Sequence, residues 1–118
     1  MFEKAITCVE GYLGDNPEIR ETKKGKEIVS LSVGVNKSVL NSETDQWDNV
    51  TQWWPVKVID TDLVEKAKKC QKGAYVSVWG NLHKGSYTKD EIQRTFVEIV
   101  AKGRGCTFNY KNKSENKD

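Results

Sequence analysis

Trp53 and Lys57 stand four residues apart in the stretch Val50–Ile59, on the parity opposite Trp54, Val56 and Val58. Side chains alternate between the two faces of a strand. An indole and an ammonium therefore share one open face, while Trp54 and the valines look inward. An exposed ring and a cation on one sheet surface are the elements that stack a base and contact a phosphate. Tyr87 repeats the combination in a polar stretch that also carries Lys84 and Lys89. Trp47 divides evenly between contacting such a ligand and anchoring its own loop. Trp79 and Tyr75 share the outward parity of another strand. Trp79 fits a subunit interface or the ligand path, and the interface is the preferred reading.

Catalytic chemistry finds no comparable support. His83 is the single histidine, and no carboxylate or Cys lies near it in sequence at metal-ligand spacing, so an ordinary surface residue is expected. Cys8, Cys70 and Cys106 are too far apart to suggest a zinc site. No Ser/His/Asp or Cys/His arrangement and no Gly-x-x-x-x-Gly-Lys loop occurs. The expectation is a non-enzyme with no cofactor and no metal.

A chain of 118 residues makes one domain with a modest core. Its 36% hydrophobic and 31% charged residues are those of an ordinary globular protein. The net charge of +2 excludes an argument from bulk electrostatics, so a polyanion must be met by local placement. An odd number of cysteines, with no close pair, argues against a disulfide framework and for a reducing compartment. No apolar run has the length of a membrane span, and the first residues lack a signal-peptide pattern. A soluble, cytoplasmic protein is expected.

The elements that would position these residues read mostly as strands. Phe2–Tyr12 is a first strand, and the breaker cluster Gly11, Gly14, Asp15, Asn16 and Pro17 turns the chain. Glu27–Asn36 alternates cleanly, with Val29, Leu31, Val33 and Val35 against Ser30, Ser32, Gly34 and Asn36. Lys37–Asn49 reads as a loop. Thr61–Lys72 is the helix candidate, capped by Thr61 or Asp62 and ended by Gly73. Two strands in Lys72–Lys102, the second rich in apolar residues (Phe96, Val97, Ile99, Val100 and Ala101), are joined by a polar loop that carries Lys84, Tyr87 and Lys89, and form a long arm with cations and a ring near its tip. Three strands, a short helix and two more strands is the order of an all-β OB-fold, a five-stranded, partly open barrel. Residues 1–103 would form that domain, and 104–118 a polar, disordered tail.

GYLGDNPEIR (Gly11–Arg20), Gly25–Val35, Gln52-Trp53 and KGAYVSVWGNL (Lys72–Leu82) occur in that order. Together they resemble the bacterial-type single-stranded DNA-binding protein family over roughly Val9 to Lys102. The resemblance implies a sequence-tolerant binder of single-stranded DNA in replication, repair or recombination, nucleoid-associated and usually a homotetramer. Trp53 and Tyr87 would be stacking platforms, and Arg20, Lys57, Lys72, Lys84 and Arg94 phosphate contacts. The chain departs from the family at Val39 and Ile59, where aromatics are common, and in Asn41–Asn49, which carries Glu43, Asp45 and Asp48 and no cation. Its SENKD end lacks the acidic tip with terminal apolar residues through which family members recruit partners, so replication or repair proteins as partners stay open. The rival readings are a primosome-type interaction module that binds nucleic acid weakly and an OB scaffold with a structural role only. RNA as ligand and a dimer as assembly stay open.

Overall fold

The computed structural model describes residues 3–113. Among them the order of elements is β1 (Ile6–Leu13), β2 (Glu18–Glu21), β3 (Glu27–Asn41), β4 (Gln46–Val58), α1 (Thr61–Ala67), β5 (Tyr75–Lys89), β6 (Ile92–Ala101) and β7 (Thr107–Lys111). Hydrogen-bonded neighbours run β1-β3-β4-β6-β5, and β5 pairs back to β1. That circuit closes the five-stranded barrel of an OB-fold. Closure is uneven: β1 meets β3 only at Tyr12↔Gly34 and Leu13↔Val33, and β4 meets β6 in parallel over three residues.

The core follows from strand alternation. Val9 and Leu13 of β1, Val29, Leu31 and Val33 of β3, Val56 and Val58 of β4, Val76 and Val78 of β5, and Ile99 and Ala101 of β6 are all buried. β-Branched side chains suit a pleated, one-sided surface, and each fully buried Val or Ile contributes about 1.5–3 kcal/mol relative to exposure. Trp54, expected in the core, is half-buried and packs against it.

Helix α1 covers the barrel with Val64 and Ala67 and stops at Ala67, well short of the expected Lys72. Its N-cap is Asp60, without a side-chain capping bond. The Asp60 carboxylate instead accepts the Gly103 N–H at 2.8 Å. The chain beyond α1 returns as a turn, yet still buries Cys70. Burial there pushes the Cys70 thiol up to about 11.

Two expectations fail where the chain leaves the core. The segment read as a loop at Lys37–Asn49 is a hairpin arm, paired without a break from Asn36↔Thr51 to Asn41↔Gln46. The polar stretch around Tyr87 is also strand: β5 runs to Lys89 and turns at Asp90-Glu91, both with positive φ. Both faces of an arm are solvated, so neither needs the alternation that marks a half-buried strand. A two-residue hairpin turn with both φ positive ordinarily announces itself as Asn-Gly, and Asp90-Glu91 does not.

The expected boundary at 103/104 is corrected in the same way. Thr107–Lys111 is a strand, paired antiparallel to β5 from Trp79↔Thr107 to Tyr75↔Lys111. Phe108 is fully buried beneath it and Tyr110 packs against the core. Residues 114–118, the rest of the expected tail, lie outside the described residues. No helix among the described residues is long and apolar enough to cross a membrane.

Candidate nucleic-acid interface

Strand register decides which of the candidate residues share a surface. In β3–β4 the pairs Ser30↔Lys57, Gly34↔Trp53, Asn36↔Thr51, Ser38↔Asn49 and Leu40↔Trp47 all lie on the face turned away from the core. The hydrogen bonds Thr51 Oγ1 to Asn36 Oδ1 (2.6 Å) and Ser38 Oγ to Asn49 Oδ1 (3.4 Å) stitch that face along the arm. Trp53 and Trp47 thus point the same way, six residues apart or roughly 20 Å at 3.3 Å per residue. Arg20 reaches the same side from β2, opposite Ile28.

The second arm continues this surface. Lys57 of β4 pairs with Val100 of β6, and from there the outward parity runs through Glu98, Phe96 and Arg94. Their partners on β5 are His83, Gly85 and Tyr87. Because β4 and β6 are parallel, both arms project from the same rim of the barrel. Trp53, Trp47, Lys57, Arg20, Tyr87 and Arg94 are therefore brought onto one side. Lys84 is not. It pairs with Val97 on the opposite face of the arm from Tyr87, a one-residue difference that reverses a strand side chain. Lys72 lies in the turn before β5, where its N–H donates to Asn16 Oδ1 at 2.8 Å.

Trp53 is seated rather than merely exposed. A Cβ built on Gly14 would come within 2.6 Å of its ring, and one built on Gly34 within 2.7 Å. The indole lies across two glycines, from the turn after β1 and from β3, with backbone beneath it. It is still 54% exposed. On the other arm Phe96 lies across Gly85 and meets His83 at 6.1 Å and Tyr87 at 6.3 Å between ring centres. Arg94 stands directly opposite Tyr87 in the ladder. Sequence reasoning missed Phe96 as part of this row because it was counted with the apolar residues of its strand. The glycine opposite it is the signal that marks a ring lying flat across the sheet.

Glu98 joins the two arms. It is 6% exposed, a buried carboxylate at the edge of an open face. Lys57 Nζ is 3.5 Å from its Oε1 and His83 Nδ1 is 3.0 Å from its Oε2. A buried carboxylate without partners would be costly, and these two supply them. The carboxylate absent near His83 in sequence is supplied by the neighbouring strand. Arg20 is similarly occupied, 3.7 Å from Glu18, although both are well exposed and such a pair is worth little.

A second aromatic surface lies across β1, β5 and β7. Tyr12 and Tyr75 meet edge-on at 5.4 Å, and Trp79 stands four ladder pairs along on the same face, opposite Cys8 and Thr107. Glu10 accepts hydrogen bonds from the Tyr75 hydroxyl (3.1 Å) and the Ser77 hydroxyl (3.0 Å). The bond to Glu10 raises the Tyr75 phenol above its ordinary pKa.

Residues 5–108 match the single-strand binding protein family. The chain belongs to that family. It is 27% identical over 117 residues to a single-stranded DNA-binding protein of Paenarthrobacter aurescens, covering 98% of this chain and 68% of that one. It is 29% identical over 110 residues to the Deinococcus radiodurans protein of the same name, covering 82% of this chain and 34% of that one. Against single-stranded DNA-binding protein 1 of Staphylococcus aureus it is 29% identical over 96 residues and spans 60% of that protein. Among solved structures, the Plasmodium falciparum SSB complex with ssDNA superposes with a TM-score of 0.80 at 23% identity, covering 94% of this chain and 99% of that one. The small single-stranded DNA-binding protein of Streptomyces coelicolor gives 0.67 at 15% identity, covering 93% and 96%. At these identities the structural likeness establishes the OB-fold.

Proposed function

We propose that this chain binds single-stranded DNA with little sequence preference and without catalysis, holding the strand extended across the face shared by its two arms. The observation that carries this reading is Trp53, laid over Gly14 and Gly34 with one face free, on the same surface as the Phe96–Tyr87 row and Arg94. Any base can stack on such a ring, because every base has a π-face. Arg94, Lys57 and Arg20 supply positive charge beside the rings, with Lys72 and Trp47 at the margins. Lys84 would have to reach round its strand to join them, so it ranks last as a phosphate contact. Replication, repair and recombination are the settings in which protecting a single strand is useful. The Tyr75–Trp79 surface is the proposed contact between copies in a homotetramer, and a second copy multiplies the contacts along one strand.

The acidic tip of the β3–β4 arm favours one rival, a protein-interaction module with weak nucleic-acid binding. Glu43, Asp45 and Asp48 sit at or beside the Asn41–Gln46 turn and repel phosphate. A tryptophan-fluorescence titration with poly(dT) over a salt series separates the two. Stacking quenches the indole, and for single strands the slope of log K against log salt is about −0.7 per phosphate neutralised. Strong quenching with a steep slope is expected. A shallow slope with weak quenching would favour the interaction module, and no binding at low salt would overturn the reading.

A further inference from the structure

We propose that Glu98 limits the strength of single-strand binding by holding the Lys57 ammonium away from phosphate at the fork between the two arms. This rests on the single-strand reading above and specifies how much of the Lys57 charge a phosphate meets. The fork has a physical cause. Strands β4 and β6 pair in parallel from Val58↔Ala101 to Val56↔Ile99 and no further. The next rung would set Pro55 beside Glu98, and proline has no N–H with which to extend a ladder. Beyond it the arms go separate ways, β4 towards Trp53 and Trp47 and β6 towards Phe96 and Arg94. A single strand of DNA stacked on both Trp53 and Phe96 must cross this fork, with Glu98 beneath its backbone.

A carboxylate is the wrong charge to set under a chain of phosphates, and its two partners screen it. Lys57 Nζ lies 3.5 Å from Oε1, and His83 Nδ1 lies 3.0 Å from Oε2. The Glu98 side chain is 8% exposed, whereas that of Lys57 is 47% exposed. The ammonium, on its flexible stem, can swing out to a phosphate; the carboxylate, buried in the sheet, cannot follow it. A phosphate that captured Lys57 would therefore strip a buried carboxylate of one of its partners, which is the costly way to break such a pair. A solvent-exposed contact between ammonium and phosphate returns little by comparison. Lys57 accordingly stays with Glu98 while DNA binds, and the pair presents no net charge to the backbone.

The test uses a dT oligonucleotide of about 16 nucleotides, the upper end of one OB-fold's site. Kd is followed by tryptophan fluorescence over a salt series, at about pH 8.5, above the ordinary histidine range. In Glu98→Gln the freed ammonium gains one phosphate. The slope of log K against log salt should steepen by about 0.7, and Kd at about 0.1 M salt should fall about fivefold, the factor that this slope gives between about 1 M and 0.1 M. In the double variant Lys57→Gln with Glu98→Gln this gain should vanish, because the ammonium that supplied it is gone. If circular dichroism shows that Glu98→Gln does not fold, Glu98→Ala removes the same charge without an amide to bury. An unchanged slope and Kd on loss of the carboxylate overturns the proposal. Weaker binding overturns it too, and makes Glu98 a support of the face. A gain that persists undiminished in the double variant also overturns it, because bare repulsion or His83 would then carry the effect in place of Lys57. Failure of the wild type to bind dT at low salt overturns the single-strand reading, and this proposal with it.

Discussion

Two aromatic surfaces share strand β5 and differ in what surrounds their rings. On the arm side, Trp53 lies on Gly14 and Gly34, Phe96 lies on Gly85, and the flanking polar groups are Arg94 and the Glu98 carboxylate with Lys57 and His83 about it. On the β1–β5–β7 side, Tyr12, Tyr75 and Trp79 stand on a sheet whose central polar group is the Glu10 carboxylate. Ring exposure is nearly equal, 54% for Trp53 against 46% for Trp79. Exposure therefore does not distinguish a base platform from a protein-facing patch. On the proposed function, a backbone floor and nearby cations do, because a base brings a flat face and a phosphate with it, whereas a second protein copy brings apolar side chains and hydrogen-bonding groups.

The strongest way to break this comparison is to remove one surface. Phe108 is fully buried and holds β7 onto β5. Phe108→Ala is expected to cost about 3–5 kcal/mol, read by denaturant unfolding, and to leave β5 with an uncovered edge. A change below about 1 kcal/mol would mean that β7 is an appendage and that the second surface consists of β1 and β5 alone.

On the arm side, Trp53→Ala is expected to weaken poly(dT) binding by about 1–3 kcal/mol while circular dichroism stays unchanged. Gly34→Ala sharpens the point. Its new Cβ would meet the indole at 2.7 Å, so the ring must tilt off its floor. Most of the Trp53→Ala loss should appear in Gly34→Ala, and the double variant should lose little more, as expected of residues that act together. Additive losses would show that the glycine serves the sheet and not the ring.

Trp79→Ala makes the reciprocal test. Sedimentation should show a smaller assembly, while each protomer keeps the fluorescence quenching contributed by Trp53. If strand affinity falls as far as in Trp53→Ala with the assembly intact, the two surfaces exchange roles.

The parts of the molecule that touch the core were legible in the sequence, and the parts that leave it were not. Val29, Leu31 and Val33 announce β3 because one face is dry. Beyond Asn36 the same strand continues to Asn41 with both faces wet, and the alternation that marked it disappears. Trp53 was legible because Trp54 and Val56 fixed its parity. Lys84 was misplaced because the stretch around Tyr87 was treated as a loop, and a loop carries no parity. The Glu98–His83 contact joins residues fifteen apart in sequence through β5–β6 register, which no local pattern contains. Strand β7 did leave a signal: Phe108 and Tyr110 alternate with Thr107, Asn109 and Lys111, masked by an Asn/Lys-rich composition.

The smallest expected effect concerns Tyr75. Its hydroxyl donates to Glu10 Oε1, and that bond raises its pKa above the ordinary value of 10.0. A raised phenol keeps its proton longer in the folded state than in the unfolded one. The stabilisation from this pair is thus complete below about pH 10 and is lost as pH climbs through the higher folded value. Absorbance at 295 nm should show one tyrosine titrating late in the wild type. In Glu10→Ala that late step should merge with the exposed tyrosines, without loss of strand binding, because Glu10 belongs to the other surface. A late step that survives Glu10→Ala would assign the delay to burial of Tyr75 in the proposed contact between copies and not to the Glu10 bond.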